Sequence, residues 1–245
     1  MGDLSGRSAL VTGAGRGIGE AIARRLAAGG ARVLVADIDG DAAARVAGSV
    51  DGIAATADVT DDAQVEAMVR TCTERLGGLD IAVNNAGIGG AMAPTADYPP
   101  GEWDRVIAVN LTAVFTCMRH EIAVMRAAGH GAIVNIASVM AQVAFPTISA
   151  YVAAKHGVLG LTKAAALDHA ADGIRINAVG PTFILTELVT STIDQEGLDM
   201  LAAGHPGGRL GTADEVAELV AWLASDAASL AQGGFYPVDG GWTAR

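Results

Sequence analysis

The sequence predicts an α/β fold: one doubly wound parallel sheet of about seven strands, flanked by helices on both faces. Two observations carry that expectation. Short, near-continuous apolar runs rich in β-branched residues alternate with longer segments of helical periodicity, the pattern of strands joined by crossover helices and covered on both sides. No linker-like stretch interrupts the alternation across the 245 residues, so residues 1–245 are expected to form a single domain.

The elements follow in order. Residues 8–13 (SALVTG), 31–37 (ARVLVAD), 52–58 (GIAATAD), 79–85 (LDIAVNN), 131–138 (GAIVNIAS) and 174–181 (IRINAVGP) read as buried strands, with a short last strand at 235–238. Helical patterns occupy 18–28, 41–50, 61–76, 103–128 with a break near Asn110, 149–171 and 212–224. The last of these opens on a capping signal, Thr212 with Glu215 three residues on. Residues 186–206 break the rhythm with short helical scraps and glycine, which suits a lid over a pocket.

Composition narrows the function. Hydrophobic residues at 51% against 18% charged exclude a disordered chain. A formal net charge of −11 speaks against nucleic acid or an anionic membrane surface as partner, since both need a basic face. No window approaches the ~18 to 20 uninterrupted apolar residues of a membrane span. The opening MGDLSGRSALVTG lacks the basic start and apolar core of a signal peptide, so a cytoplasmic location is expected. In that compartment Cys72 and Cys117 read as two thiols, with a disulfide as the open alternative. The five histidines show no metal-ligand spacing with cysteine or acidic residues, so no metal site is expected.

TGAGRGIG, residues 12–19, lies where the first strand hands over to the first helix. Glycines there let the backbone turn tightly and approach a pyrophosphate, and the helix N-terminus offers unpaired N–H groups. Gly13, Gly15, Arg16, Gly17, Ile18 and Gly19 are therefore candidates for nucleotide binding, the alternative being a structural turn. Asp37 ends the second strand, where a carboxylate can accept from an adenosine ribose. A solvated acidic loop is the alternative, because Asp39 and Asp41 follow closely. With the glycine loop, the sheet reads as Rossmann-type.

SAYVAAKHG, residues 149–157, places Tyr151 and Lys155 four apart on one helix face. A nearby ammonium favours phenolate and lowers a tyrosine pKa, which would make the pair a proton-transfer device. A tyrosine packed under a lysine stem is the plainer alternative.

In this order, and over nearly the whole chain, the motifs resemble the short-chain dehydrogenase/reductase family: TGAGRGIG, Asp58–Val59, NNAG at 84–87, Asn110, Ser138, YVAAK at 151–155 and GPTFILT at 180–186. The resemblance implies an NAD-dependent oxidoreductase interconverting a secondary alcohol and its ketone. It implies Tyr151 as general acid/base, Lys155 lowering the phenol pKa and bonding the nicotinamide ribose, and Ser138 stabilising charge on the substrate oxygen. Asn110 would hold a water linking Lys155 to solvent. Asp58 and Val59 would hold the adenine and Asn85, Ala86 and Gly87 the cofactor ribose. Pro181, Ile184 and Thr186 would lie on the nicotinamide side. The same resemblance implies a homotetramer, consistent with surplus apolar residues on 111–128 and 149–171.

NAD is expected over NADP because Asp37 would repel a 2′-phosphate. Ile38 stands where NADP-dependent relatives often place a cation, while Arg16 pulls the other way. Two alternatives stay open: an NADPH-dependent 3-oxoacyl-thioester reductase and a catalytically idle nucleotide-sensing protein. Pocket candidates by proximity are Gly89, Met140, Gln142, Phe145, Phe183 and Leu188, mainly apolar and suited to a compact hydrophobic or cyclic alcohol. One departure is Thr182, where the family usually has glycine; its Cβ could crowd the nicotinamide or forbid a positive φ. His156 is expected off the site, His205 to begin a structural turn, and Trp222 and Trp242 to serve the core or a subunit contact.

Overall fold

A computed structural model describes residues 3–190 and 193–244; the side chain of Leu188 is outside the described set. Seven strands, β1 (Ser8–Thr12), β2 (Arg32–Asp37), β3 (Ile53–Thr56), β4 (Ile81–Asn84), β5 (Gly131–Ile136), β6 (Ile174–Pro181) and β7 (Phe235–Val238), make one sheet in the order β3-β2-β1-β4-β5-β6-β7. Every pairing is parallel. The chain leaves β1 toward one edge and returns at β4 to build the other. Ligands of open α/β sheets bind at such a switch point, outside the carboxyl ends of the strands.

The helices are α1 (Gly17–Ala28), α2 (Gly40–Ser49), α3 (Asp62–Leu76), α4 (Pro100–Ile107), α5 (Ala113–Ala128), α6 (Ser149–His169), α7 (Glu187–Thr190), α8 (Gln195–Ala203) and α9 (Ala213–Ala224). Val11, Val35, Val83 and Val134 point to one face of the sheet, against Ile22 and Leu26 of α1 and Val220 and Leu223 of α9. Their neighbours Leu10, Leu34, Ala82 and Ile133 point to the other, against Met68 of α3, Met125 of α5 and Val158 of α6. Successive side chains alternate between two covered faces, so the central strands read as continuous apolar runs. Asp61 caps α3 by accepting from Ala63 and Gln64 N–H, and the expected Thr212–Glu215 capping box opens α9.

Two expectations need correction. β3 is not covered on both faces: Ile53 and Ala55 are half-buried while Ala54 and Thr56 are exposed. It is an edge of the sheet, and its Ala54 and Thr56 stay in solvent. The long helix begins at Pro100 rather than 103, and a π-helical turn, Ala108–Thr112, separates α4 from α5 at Asn110. Together they make a run of 29 residues, Pro100–Ala128, long and apolar enough by composition to cross a membrane. Here its Val114, Met118, Ile122 and Met125 pack onto the sheet.

Candidate active site

The glycine loop is held by Thr12 and Asn85. Thr12 Oγ1 accepts from the N–H groups of Asn85 (3.0 Å) and Ala86 (3.2 Å), while Asn85 Nδ2 donates to Thr12 O and Gly13 O at 3.0 and 2.9 Å. This lashes the end of β1 to the end of β4. Gly13 has φ +60°, and a Cβ there would lie 2.7 Å from Ala86 Cα. A Cβ on Gly19 would collide with Gly13 O and reach within 2.5 Å of Asn85 Nδ2. Both positions therefore demand glycine, and the loop presents bare backbone at the start of α1, a cradle that fits a pyrophosphate.

Asp37 is buried at the end of β2. Its Oδ2 accepts from Gly15 N–H at 2.8 Å and its Oδ1 from Asp39 N–H at 3.0 Å, which fixes the carboxylate beside the loop with lone pairs to spare. Ile38 and Arg16 are exposed next to it. Sequence reasoning missed Arg45 of α2, whose Nη2 donates to Gly15 O at 2.7 Å and pairs with Glu20 at 3.0 Å. Its signal is only a cation one helix beyond Asp37. On the next strand end, Asp58 Oδ1 accepts from Thr60 N–H and Oγ1 at 2.9 and 2.7 Å, and Val59 is half-buried beside it.

On the β4–β5 side, Asn110 is buried in the π turn. Its Oδ1 accepts from Ile88 N–H (2.8 Å) and its Nδ2 donates to Ile88 O (2.7 Å), so the amide clamps the segment that carries Asn85–Gly87. Gly87 lies between Asn110 and Lys155: a Cβ there would be 3.2 Å from Asn110 Oδ1 and 3.8 Å from Lys155 Nζ. Lys155 is buried, donates to Ile136 O at 2.8 Å and stands 5.6 Å from the centre of the Tyr151 ring. Ser138 follows β5; its Oγ accepts from Met140 N–H at 3.2 Å and donates to Pro181 O at 3.4 Å.

Burial sets the electrostatics of Tyr151 and Lys155 in this structure. Burial pushes the Tyr151 pKa above its ordinary 10.0, and the hydrogen bond with Ser138 acts the other way. Burial also brings Lys155 down from 10.5 to about 8. Desolvation disfavours the charged form of each group.

Of the expected pocket residues, Phe145 and Phe183 meet edge to face at 6.0 Å. Phe183 also packs on His205 (6.5 Å) and Trp242 (6.1 Å). Trp242, expected to serve the core or a subunit contact, packs on Phe183, and Trp222 packs on Tyr236. Gly89 and Gln142 are exposed, whereas Met140 is buried and contributes its backbone N–H to Ser138. Leu188, as a side chain, lies outside the described residues, as do Ser191 and Thr192 of the expected lid. The rest of that segment comprises α7 and α8, tethered at its base by a bridge between Ile184 and Gly211. Pro181 ends β6 at this face, and Thr186 sits beside Gly17, whose Cβ would be 3.6 Å from Thr186 Cγ2.

Thr182 does not strain the backbone. Among the described non-glycine residues only Asp51 and Thr147 have positive φ, and Thr182 Oγ1 lies against His205. His156 points away, its Nδ1 at 3.0 Å from Val152 O. Cys72 and Cys117 are buried free thiols. Among the described residues no group of three His, Cys, Asp or Glu side chains is placed to hold a metal.

Comparison with known proteins matches this arrangement over its whole extent. Residues 13–243 fit the family model described as enoyl-(acyl carrier protein) reductase. The chain is 44% identical to the cyclohexanol dehydrogenase of Acinetobacter sp. (strain SE19), covering 99% of this chain and 97% of that protein. It is also 44% identical to the cis-4-hydroxycyclohexanecarboxylate dehydrogenase of Sinomonas cyclohexanicum, covering 97% of each. The solved 3-ketoacyl-(acyl-carrier-protein) reductase of Brucella melitensis, complexed with NADH, superposes with a TM-score of 0.93 at 37% identity, over 98% of this chain and 99% of that one. Fold, motif order and relatives agree: this chain belongs to the short-chain dehydrogenase/reductase family of oxidoreductases.

Proposed function

We propose that the protein is an NAD-dependent dehydrogenase of a compact cyclic secondary alcohol, or equally the reductase of its ketone. The observation that carries this reading is the convergence of Ser138, Tyr151 and Lys155 beside a bare-backbone glycine loop and an aromatic wall. The family's nicotinamide cofactor, when bound, exchanges a hydride at its ring and in its oxidised form brings a positive charge.

Each residue then has a task set by its place. The glycine loop binds pyrophosphate through backbone N–H groups, and Asp37 accepts from the adenosine ribose. Asp58 and Val59 receive the adenine, Asn85–Gly87 and Lys155 the nicotinamide ribose, and Pro181, Ile184 and Thr186 the nicotinamide. Ser138 donates to the substrate oxygen where charge develops. Tyr151 takes the hydroxyl proton on oxidation or returns one on reduction. The phenol that burial holds protonated is suited to donate; added positive charge beside it favours the phenolate needed to accept. Lys155 passes the proton onward, and since the Asn110 amide is engaged with Ile88, the water that continues the path would sit on the backbone of the π turn. Residues 186–206 close over the substrate as a lid, the protein works in the cytoplasm, and its assembly is a tetramer.

A ring-shaped substrate is supported by the Phe145–Phe183–Trp242 wall and by two 44%-identical relatives named for cyclohexane-ring substrates. The likeness to a 3-ketoacyl reductase favours a second reading, reduction of a 3-oxoacyl thioester. A catalytically idle nucleotide sensor is disfavoured by the complete catalytic set. A steady-state screen of cyclic and linear alcohols with NAD, and of ketones and 3-oxoacyl thioesters with NADH and NADPH, separates these. Turnover confined to thioesters with NADPH would replace our reading, and dinucleotide binding without any turnover would leave the sensor.

A further inference from the structure

Four buried polar side chains form one chain through the core beneath the site: Glu121 of α5, Asn84 of β4, Asn135 of β5 and Thr162 of α6. Its polarity can be read from one end. The Thr162 hydroxyl donates to Val158 O at 2.8 Å, a carbonyl that can only accept. Thr162 Oγ1 in turn accepts from Asn135 Nδ2 at 2.9 Å, which turns Asn135 Oδ1 toward Asn84. Asn84 Nδ2 donates to that oxygen at 3.0 Å and to Glu121 Oε2 at 3.0 Å. Both protons of the Asn84 amide are thereby committed. Asn84 Oδ1 and Glu121 Oε1 remain, both buried and both without a donor. An ionised carboxylate has no proton to offer either of them.

We propose that Glu121 is a carboxylic acid in the native protein and that, paired with Asn84 as an acid–amide ring, it is a positioning residue for the loop that carries Asn85–Gly87. One proton on Oε1, aimed at Asn84 Oδ1, satisfies both orphaned oxygens with a single hydrogen bond. The surroundings agree. Among the described residues the titratable groups that act with Glu121 are Cys72 on α3 and Cys117 on α5, thiols that burial pushes up, and no cation acts on its carboxylate. Burial raises the Glu121 pKa to about 7, with donation from Asn84 acting the other way. The adjoining cavity of about 10 Å³ touches Asn84 but not Glu121, and it stands at the lower limit of the ~10–15 Å³ a water needs.

The link to the site is short. Asn84 is the last residue of β4, and the next residue, Asn85, ties Thr12 O and Gly13 O to the strand end. The ring therefore fixes the mount on which the glycine loop is lashed. The positioning role rests on the cofactor reading above; the protonation does not.

Infrared difference spectra, melting curves against pH and NADH titrations of the parent, Glu121→Gln and Glu121→Leu test both parts. The parent should show a protonated-carboxyl stretch that Glu121→Gln lacks. Because the fold retains a proton that the unfolded chain releases, parent stability should fall relative to Glu121→Gln as pH rises from the ordinary 4.5 to about 7. The glutamine reproduces the donor and acceptor of the neutral acid, so it should keep NADH affinity within about twofold, whereas leucine should lose about tenfold, the weight of one buried hydrogen bond. Absence of the stretch together with a pH-independent stability gap would overturn the acid. Parent-like NADH affinity in Glu121→Leu, or loss of affinity in Glu121→Gln equal to that in the leucine variant, would overturn the positioning role. If the parent itself bound no nicotinamide dinucleotide, the cofactor reading and the positioning role would fall together, and the stretch would still decide the acid.

Discussion

Thr182 Oγ1 lies 3.1 Å from His205 Nε2, joining the end of β6 to the turn that follows α8. His205 is buried, and its Nδ1 sits 2.8 Å from Leu201 O. That carbonyl can only accept, so Nδ1 carries a proton, and in the neutral imidazole Thr182 then donates to Nε2. The residue that departs from the family pattern thus has a hydroxyl with a specific use, which glycine would lack.

Thr182→Val leaves Nε2 buried without a donor and should lower stability by about 1–2 kcal/mol. For a chain of this size that is a fall in Tm of roughly 2–4 °C per kcal/mol. With His205→Phe the two losses should be non-additive in a double-mutant cycle, with coupling of about 0.5–1.5 kcal/mol. The same variants should speed proteolysis within α7 and α8, and dinucleotide plus substrate should slow it in the parent. Additive losses would mean that the pair does not act as a unit.

Tyr151→Phe removes the proton-transfer group at nearly constant volume. Turnover should fall by about 10²–10⁴ while NADH binding, measured by titration, persists. Turnover within a few-fold of the parent would refute the role of Tyr151.

Asp37 should make NAD the better cofactor by at least about tenfold in kcat/KM, or about 1.4 kcal/mol. Its carboxylate is fixed by two backbone N–H groups and cannot swing from a 2′-phosphate. Arg45 is the counterweight, now neutralised by Glu20. Asp37→Ala should narrow the ratio, and Glu20→Gln on that background should narrow it further by freeing Arg45. A parent that favours NADP would contradict the assignment.

Lys155 should leave a signature in stability against pH. Its folded pKa of about 8 lies below the ordinary 10.5, so the unfolded chain binds more protons between those values. Stability should therefore rise with pH across about 8 to 10.5, by up to ~3 kcal/mol for a shift of this size. Lys155→Met should abolish that rise, read as the difference in unfolding free energy between the two proteins. A pH-independent difference would show that the amine is not desolvated in the ligand-free fold.

Phe115 on α5 and Leu167 on α6 are 51% and 81% exposed, large apolar side chains that a lone subunit leaves in water. Light scattering at micromolar concentration should give a tetramer, and Phe115→Asp with Leu167→Asp should give a smaller species. A monomeric parent would refute the assembly.

Much of this protein was legible without coordinates. The central strands and the helices that cover them are written in local periodicity, because a parallel sheet covered on both faces demands uninterrupted apolar runs. The glycine loop, Asp37, Tyr151 and Lys155 are read from spacing, since each lies at a strand end or on a helix that the alternation already places, and Ser138 from the resemblance to the family. The interruption at Asn110 was visible too, though its form as a π turn was not. Where local pattern failed, the answer lay in what packs against what. Whether β3 is buried depends on its being an edge. How far burial shifts the phenol and the amine depends on how much water the fold removes, and desolvation is a property of surroundings, not of a motif. Thr182 and His205 are 23 residues apart in sequence, Trp242 closes on Phe183 from the far end of the chain, and Arg45 reaches Gly15 from the next helix. Sequence determined which groups the chain owns and which elements carry them; only tertiary structure decided which became neighbours, because hydrogen bonds, ring contacts and buried charge act over a few ångströms of space and take no account of distance along the chain.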